Sequence, residues 1–443
     1  MEKLTIQALI QFKWLDIAHL TLLESEKGSS STCTLEYELE YALQHIDLRD
    51  EHACSLILPI QLMIQHEAKH WFGFLEDIVP SGAARRYWVN YLHIQQLSIQ
   101  QQDTILLKKG TIAPVGNLRI KESIPVQAEH STLQQRRFSI IDVVNRNADF
   151  LEYAQQMGAI SGGATGAGGE APKLLIRLSH QNEVWIDTYQ QRFDQPDQHY
   201  LVKFPRNNRS EIDCNILRAE YYYYQTLAEL GFATIDHENM KLLEGEYYPS
   251  LWLPRFDTYW DGQQWQRAGL ESVYSILNKP AGSHLNHFEV IDQLCRLLSK
   301  IEPNFNQQQF ICEWLQRDLL NIIFGNSDNH GRNTSFIKYN GKIELAPIYD
   351  FAPMKADPEG IIRSTSWGSP YEEGGEYRWP EITQKLAKYC DPEVSFNALK
   401  QLGFKLIHLK QRLIQHGVPQ QIIEMPVIGF DYIEDKLKRW QLL

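Results

Sequence analysis

Seven apolar residues at helical spacing, Phe310, Ile311, Trp314, Leu315, Leu319, Ile322 and Ile323, form one stripe. That pattern predicts a buried helix running into the loop that starts at Gly325. Upstream, Ser139 to Met157 places Ile140, Ile141, Val144, Phe150, Leu151 and Ala154 as one or two helices would. Short runs rich in β-formers predict strands at Lys173–Leu178, Val184–Ile186 and Tyr200–Phe204, the last closed by Pro205. A helix is expected from Asp213 to Leu230, stopped by Gly231, and then a strand from Leu251 to Asp257 entering a connector. After about residue 265 the chain reads as mostly helical. Nearer the start, Leu56–Ile60 is a short apolar run, and Phe72–Val79 reads as a helix ending in a Pro80-Ser81-Gly82 turn. A second helix spans Ala83 to Leu92, a polar stretch from Gln95 to Gln102 interrupts, and Pro114–Ile120 closes the unit as a strand. Residues 122–135 read as a polar linker, and Ser161–Gly169, with five glycines in nine residues, as no regular element.

Length and charge narrow the classes. A chain of 443 residues fits two or three domains. A net charge of −12 argues against a protein whose main task is gripping DNA. Six scattered cysteines without a C-x-x-C point to reduced thiols rather than a disulfide framework or zinc site. The start lacks a charged segment followed by a long apolar run, and no apolar stretch reaches about 18 residues. A cytoplasmic protein without a membrane span is expected.

The chemistry concentrates in Gly325-Asn326-Ser327-Asp328-Asn329-His330-Gly331-Arg332-Asn333, with Tyr349-Asp350-Phe351 following. Phosphoryl transfer from Mg-ATP needs an Asp to orient the attacking hydroxyl, and an Asn and a second Asp to hold the metal. Asp328, Asn333 and Asp350 supply that set in that order. The His-Arg that commonly precedes the first Asp is replaced by Asn326-Ser327. For His330, inside the loop, phosphate contact and loop bracing both stay open. The glycine-rich segment could bring backbone N–H groups to phosphate, or could be a flexible loop. Lys173 and Lys203 are candidates for phosphate contact, each with the alternative of a solvated strand lysine. Glu220, on the next helix, could pair with Lys203 or be a surface residue. Glycine loop, lysine strand, glutamate helix, connector, helical region, D-x4-N and Asp follow one another as in a two-lobed kinase.

These segments resemble the HipA family of bacterial serine/threonine kinase toxins. The resemblance rests on Gly168–Lys173, Tyr200–Pro205, Arg255-Phe256-Asp257, Asn326–Asn333 and Pro347–Asp350, with Ser55–Ile60 and Phe74–Pro80 resembling the family's N-terminal subdomain. It implies an α+β protein with a two-lobed protein-kinase-like fold: a mixed N-lobe with a small sheet, an all-helical C-lobe and an additional N-terminal α+β subdomain. The implied parts are an N-terminal subdomain at residues 1–125, an N-lobe with the glycine loop at 126–257 and a helical C-lobe at 258–443. Asp328 would be the catalytic base, and Asn333 and Asp350 would bind Mg. Lys203, Lys173, His330 and Gly166, Gly168 and Gly169 would attend the ATP phosphates. Pro254 and Phe256 would hold adenine through backbone, and Asp257 would contact the ribose. The family's kinases phosphorylate a translation protein, often an aminoacyl-tRNA synthetase, arrest growth, and autophosphorylate in the glycine loop. Ser161 and Thr165 are the candidates here. A separate helix-turn-helix antitoxin would be the partner, with DNA reached only through it. Two other classes remain: a small-molecule phosphotransferase of kinase-like fold, and a non-catalytic binding module.

Overall fold

The computed structural model describes residues 1–112, 114–124, 135–157, 173–187 and 192–443. The chain is mixed α and β and divides into two compact units, neither continuous in sequence. One comprises Met1–Asn207, Glu238–Ala281 and Ser335–Ala346; the other comprises Asn208–His237, Gly282–Thr334 and Pro347–Leu443.

The first unit opens with a five-stranded antiparallel sheet of β1 (Glu2–Ile10), β2 (Lys13–Leu22), β3 (Cys33–Tyr37), β4 (Gln65–Ala68) and β5 (Leu118–Ile120), ordered β4-β3-β2-β1-β5. Gln11 and Phe12 turn the first hairpin with φ of +47° and +68°, the double positive φ of a two-residue turn that matches strand twist. Leu4, Ile6, Leu20, Leu22 and Leu35 are buried with Phe72, Phe74, Leu75, Leu106 and Leu107 of the helical segments. The second sheet holds β6 (Phe138–Ser139), β7 (Lys173–Leu178), β8 (Glu183–Trp185), β9 (Gln198–Lys203), β10 (Lys241–Glu244) and β11 (Pro249–Pro254), ordered β10-β11-β9-β7-β8-β6. Side chains alternate across a strand, so Leu174, Ile176 and Leu178 share the face that packs with Val143, Phe150 and Tyr153. Lys173 and Lys203 therefore share the opposite face.

Beyond β11 come β12 (Thr258–Trp260) and β13 (Trp265–Arg267), then β14 (Gly269–Ser272), which pairs with the hairpin Ser335–Tyr339/Lys342–Leu345. Glu271 ties this sheet to the N-terminal segment. Its carboxylate accepts from Ser55 Oγ, from Leu56 N at 2.9 Å and from Ser275 Oγ at 2.9 Å, and pairs with Lys338 Nζ at 3.3 Å. Both members of that ion pair are buried, which the surrounding hydrogen bonds make tolerable.

The second unit is mainly helical. Ser210 caps the helix Glu211–Glu229 reciprocally with Asp213, and Asn286 and Asn306 cap His287–Ile301 and Gln307–Ile323. The predicted stripe from Phe310 to Ile323 is buried. Pro392–Leu406, capped by Asp391, lies against Gln307–Ile323 through Gln316 Nε2 to Ala398 O at 3.1 Å.

Two expectations are corrected. The region from 258 to 443 is not all-helical: it contains β12 to β14, the 335–345 hairpin and short strand pairs at 285–286/365–366 and 372–373/376–377. The hairpin turns on Asn340-Gly341 with φ of +50° and +71°, a sequence pair that favours this turn. The polar stretch from Gln95 does interrupt the helices, but its last four residues, Ile99–Gln102, are helical, because Ser98 and Gln101 form a capping box that starts the helix Ile99–Lys109. The first 40 residues, for which the sequence pattern assigned no individual element, form three strands.

Candidate active site

The helix Gln307–Ile323 delivers the Asp328 loop through Phe324 and Gly325. Gly325 has φ of +73°, and a Cβ there would stand 2.9 Å from the Ile428 side chain, so both conformation and space require glycine. Asn326 N donates to Asn321 O at 2.9 Å, and its side chain donates to Asn321 Oδ1 at 2.8 Å. The loop is thus anchored to the helix end before the first candidate residue is reached.

Asp328 and Asn333 are brought together. Asn333 Nδ2 donates to Asp328 O at 2.6 Å, and Asn333 N donates to His330 O at 2.9 Å. His330 Nδ1 accepts from Arg332 N at 3.2 Å, which leaves the proton of a neutral imidazole on Nε2. That nitrogen lies 3.5 Å from Asp328 Oδ1. That approach is the geometry that bracing Asp328 would use. Tyr349 Oη donates to Arg332 O and pins the far side of the loop.

Asp350 sits in the same unit, with φ of +51°, a left-handed conformation costing a non-glycine residue about 1 kcal/mol. The next amide, Phe351 N, donates to Tyr224 Oη at 3.2 Å. Tyr224 in turn donates to Glu220 Oε1 at 2.9 Å. Burial, reinforced by the charges of Glu220 and Asp350, pushes the Tyr224 phenol well above its ordinary value, so it stays protonated and can donate. Glu220 is buried, not a surface residue.

A buried network steadies the loop from behind. Asp318, on the delivering helix, accepts from Asn329 Nδ2 at 3.1 Å, Arg363 Nη2 at 3.0 Å and Trp367 Nε1 at 2.8 Å. His287 Nε2 lies 3.4 Å away, its Nδ1 accepting from Trp314 Nε1 at 3.0 Å. Burial alone would raise the Asp318 carboxyl, but Arg363 and His287 hold it far below the ordinary range.

In the first unit, Lys173 and Lys203 are direct cross-strand partners on β7 and β9, and both are buried. Neither is a solvated strand lysine. Pro254 ends β11, and lacking an N–H it can offer adenine only its carbonyl. Phe256 is half-buried beside it. Asp257 is held otherwise than the ribose role requires. Arg255 Nε reaches its Oδ1 at 2.9 Å, while Arg255 Nη2 at 2.5 Å, Arg267 Nη2 at 3.1 Å and Gly116 N at 2.7 Å reach its Oδ2. Burial opposes its charge, but the two guanidiniums lower it to about 2. This carboxylate is committed to a structural cluster. Gly166, Gly168, Gly169, Ser161 and Thr165 lie outside the described residues.

The donors fit magnesium. Asn333 Oδ1 is buried and has no hydrogen-bond partner among the described residues. An amide oxygen and carboxylates are the hard oxygen ligands that Mg²⁺ takes. Asn333 and Asp350 could hold it. Sequence reasoning missed Tyr224 and Asp318, which carry no motif and act through partners distant in the chain.

The model of the HipA-like C-terminal domain matches residues 165–403. Among solved structures, the chain is similar to the HipA toxin of Shewanella oneidensis MR-1, solved with HipB and its operator DNA, at 14% identity and a TM-score of 0.64, covering 99% of this chain and 97% of that one. It is also similar to the proinflammatory kinase CtkA of Helicobacter pylori at 13% identity, covering 62% of this chain and 89% of that one, with a TM-score of 0.37, too low to bear on the fold. The search of curated proteins found no match. Because the matched stretch takes in more than half of its residues, this chain belongs to the HipA-like C-terminal domain family.

Proposed function

We propose that this protein is an ATP- and Mg-dependent serine/threonine protein kinase acting as the toxin of a toxin–antitoxin pair, with a two-lobed kinase-like organisation and parts at 1–125, 126–257 and 258–443. The observation that carries the reading is the Asp328–Asn333 arrangement: the amide nitrogen of Asn333 closes the loop on Asp328 O, and its oxygen is buried without a partner among the described residues. Asp328, braced by His330, orients the attacking hydroxyl and accepts its proton. Asn333 and Asp350 hold the metal, which when bound neutralises charge developing on the phosphates. Lys203 and Lys173 hold the phosphates, with backbone around Pro254 and Phe256 against adenine.

The substrate is a protein of translation, of which an aminoacyl-tRNA synthetase is the type, and autophosphorylation falls on Ser161 or Thr165. A separate helix-turn-helix antitoxin, which links the pair to operator DNA, is the proposed partner, in the cytoplasm. Wild-type protein with Mg and γ-labelled ATP should label itself or a protein in a bacterial extract. Asp328→Ala and Asp350→Ala should each cut labelling by roughly 100-fold or more while far-ultraviolet circular dichroism is unchanged. Label reaching a metabolite and no protein would turn the reading to a small-molecule phosphotransferase. No label anywhere would sink it.

A further inference from the structure

Tyr224 lies outside every motif, yet both of its hydrogen-bonding capacities are used within the second unit. Its hydroxyl donates to Glu220 Oε1 at 2.9 Å and accepts from Phe351 N at 3.2 Å. Tyr224 is fully buried, and Phe351 is nearly so. Water therefore offers no easy substitute for either bond. The phenylalanine ring is further fixed against Phe324 and Tyr223, with centroids at 5.4 Å and 6.1 Å. Tyr223 Oη donates to Phe324 O at 3.1 Å, so consecutive tyrosines of one helix grip both the end of the loop-delivering helix and the segment after Asp350.

We propose that Tyr224 is a positioning residue that sets the metal affinity of Asp350: its hydroxyl fixes the amide following Asp350 and joins that backbone to Glu220. The inference rests on the reading of Asp350 as a metal ligand. Asp350 occupies a left-handed backbone conformation, which a non-glycine residue leaves readily unless its neighbours hold it. The bond from Phe351 N is such a hold. Removing it leaves the ligand in place chemically and widens the backbone states it samples to ones in which its oxygen is misplaced.

The test is calorimetric titration of Mn²⁺, standing in for Mg²⁺, into protein saturated with a non-hydrolysable ATP analogue. Tyr224→Phe deletes one oxygen atom. It should weaken Mn²⁺ binding about fivefold, the change expected on losing one hydrogen bond of ordinary strength, while metal-free nucleotide affinity stays at the wild-type value. Hydrogen exchange of the peptide containing Phe351 should quicken in the same variant. Wild-type Mn²⁺ affinity in a folded Tyr224→Phe protein would overturn the inference and leave the proposed function standing. Should that variant not fold, Glu220→Ala, which removes the acceptor aiming the hydroxyl, must also weaken Mn²⁺ binding, and an unchanged value overturns the inference. A wild-type protein that binds neither nucleotide nor Mn²⁺ would overturn the functional reading and this inference together.

Discussion

Asp257 keeps its negative charge in the interior because two guanidiniums and one amide face it. Its carboxyl is depressed to about 2 in the folded chain, against an ordinary value near 4 when unfolded. A depressed folded pKa contributes stability that is present above the unfolded value and lost as pH falls through the folded one. This group should therefore contribute about 2 kcal/mol above roughly pH 4, lost by about pH 2. Urea unfolding followed across that window should show the loss, and Asp257→Asn should remove its share of the slope. At this scale the sequence was readable where spacing carries meaning and misleading where only type does. Asp328 and Asn333 stand five apart and were legible as a pair, and the structure joins them. Asp257 had the right type beside the right strand, but its partners Gly116 and Arg267 are set by folding, and they claim its oxygens.

The helix Gln307–Ile323 is legible as an element because its stripe of large apolar residues admits no other period. Its second task is not legible. Asp318 faces the loop and the segment after Asp350 together, but its partners Arg363 and Trp367 are 45 and 49 residues further on. No periodicity encodes such a meeting. Asp318→Asn should leave Arg363 with Glu372, at 3.3 Å, as its carboxylate partner among the described residues, and destabilise the protein by about 3 kcal/mol in denaturant unfolding. It should also lower the proposed phosphotransfer by loosening Asn329; a variant with wild-type stability and rate would show that the network is idle. The hairpin at 335–345 and the strands before residue 40 could have been read. Asn340-Gly341 and the alternation of Leu4, Ile6 and Ala8 both stand in the chain, and each is a short signal beside the longer helical patterns that follow it.

At the scale of the molecule, no helix among the described residues is long and apolar enough to cross a membrane. Ligand binding should show as stability. A metal-nucleotide complex at about a hundred times its Kd adds about 2.7 kcal/mol to the folded state. The melting temperature should rise by several degrees with Mg and a non-hydrolysable ATP analogue together, and less with either alone; a curve indifferent to both would count against the proposed function. The interleaving of the two units has its own consequence for synthesis. Glu271 is made early, but Lys338, its buried counter-charge, belongs to a hairpin that leaves the ribosome only after the Asp328 loop has been translated. A nascent chain stopped short of residue 335 must carry that carboxylate without its cation, so the first unit cannot reach its final form ahead of the Asp328 loop. Premature termination therefore yields no finished half-molecule, and the slow step of maturation is expected to be the docking of this late hairpin rather than the formation of any single helix.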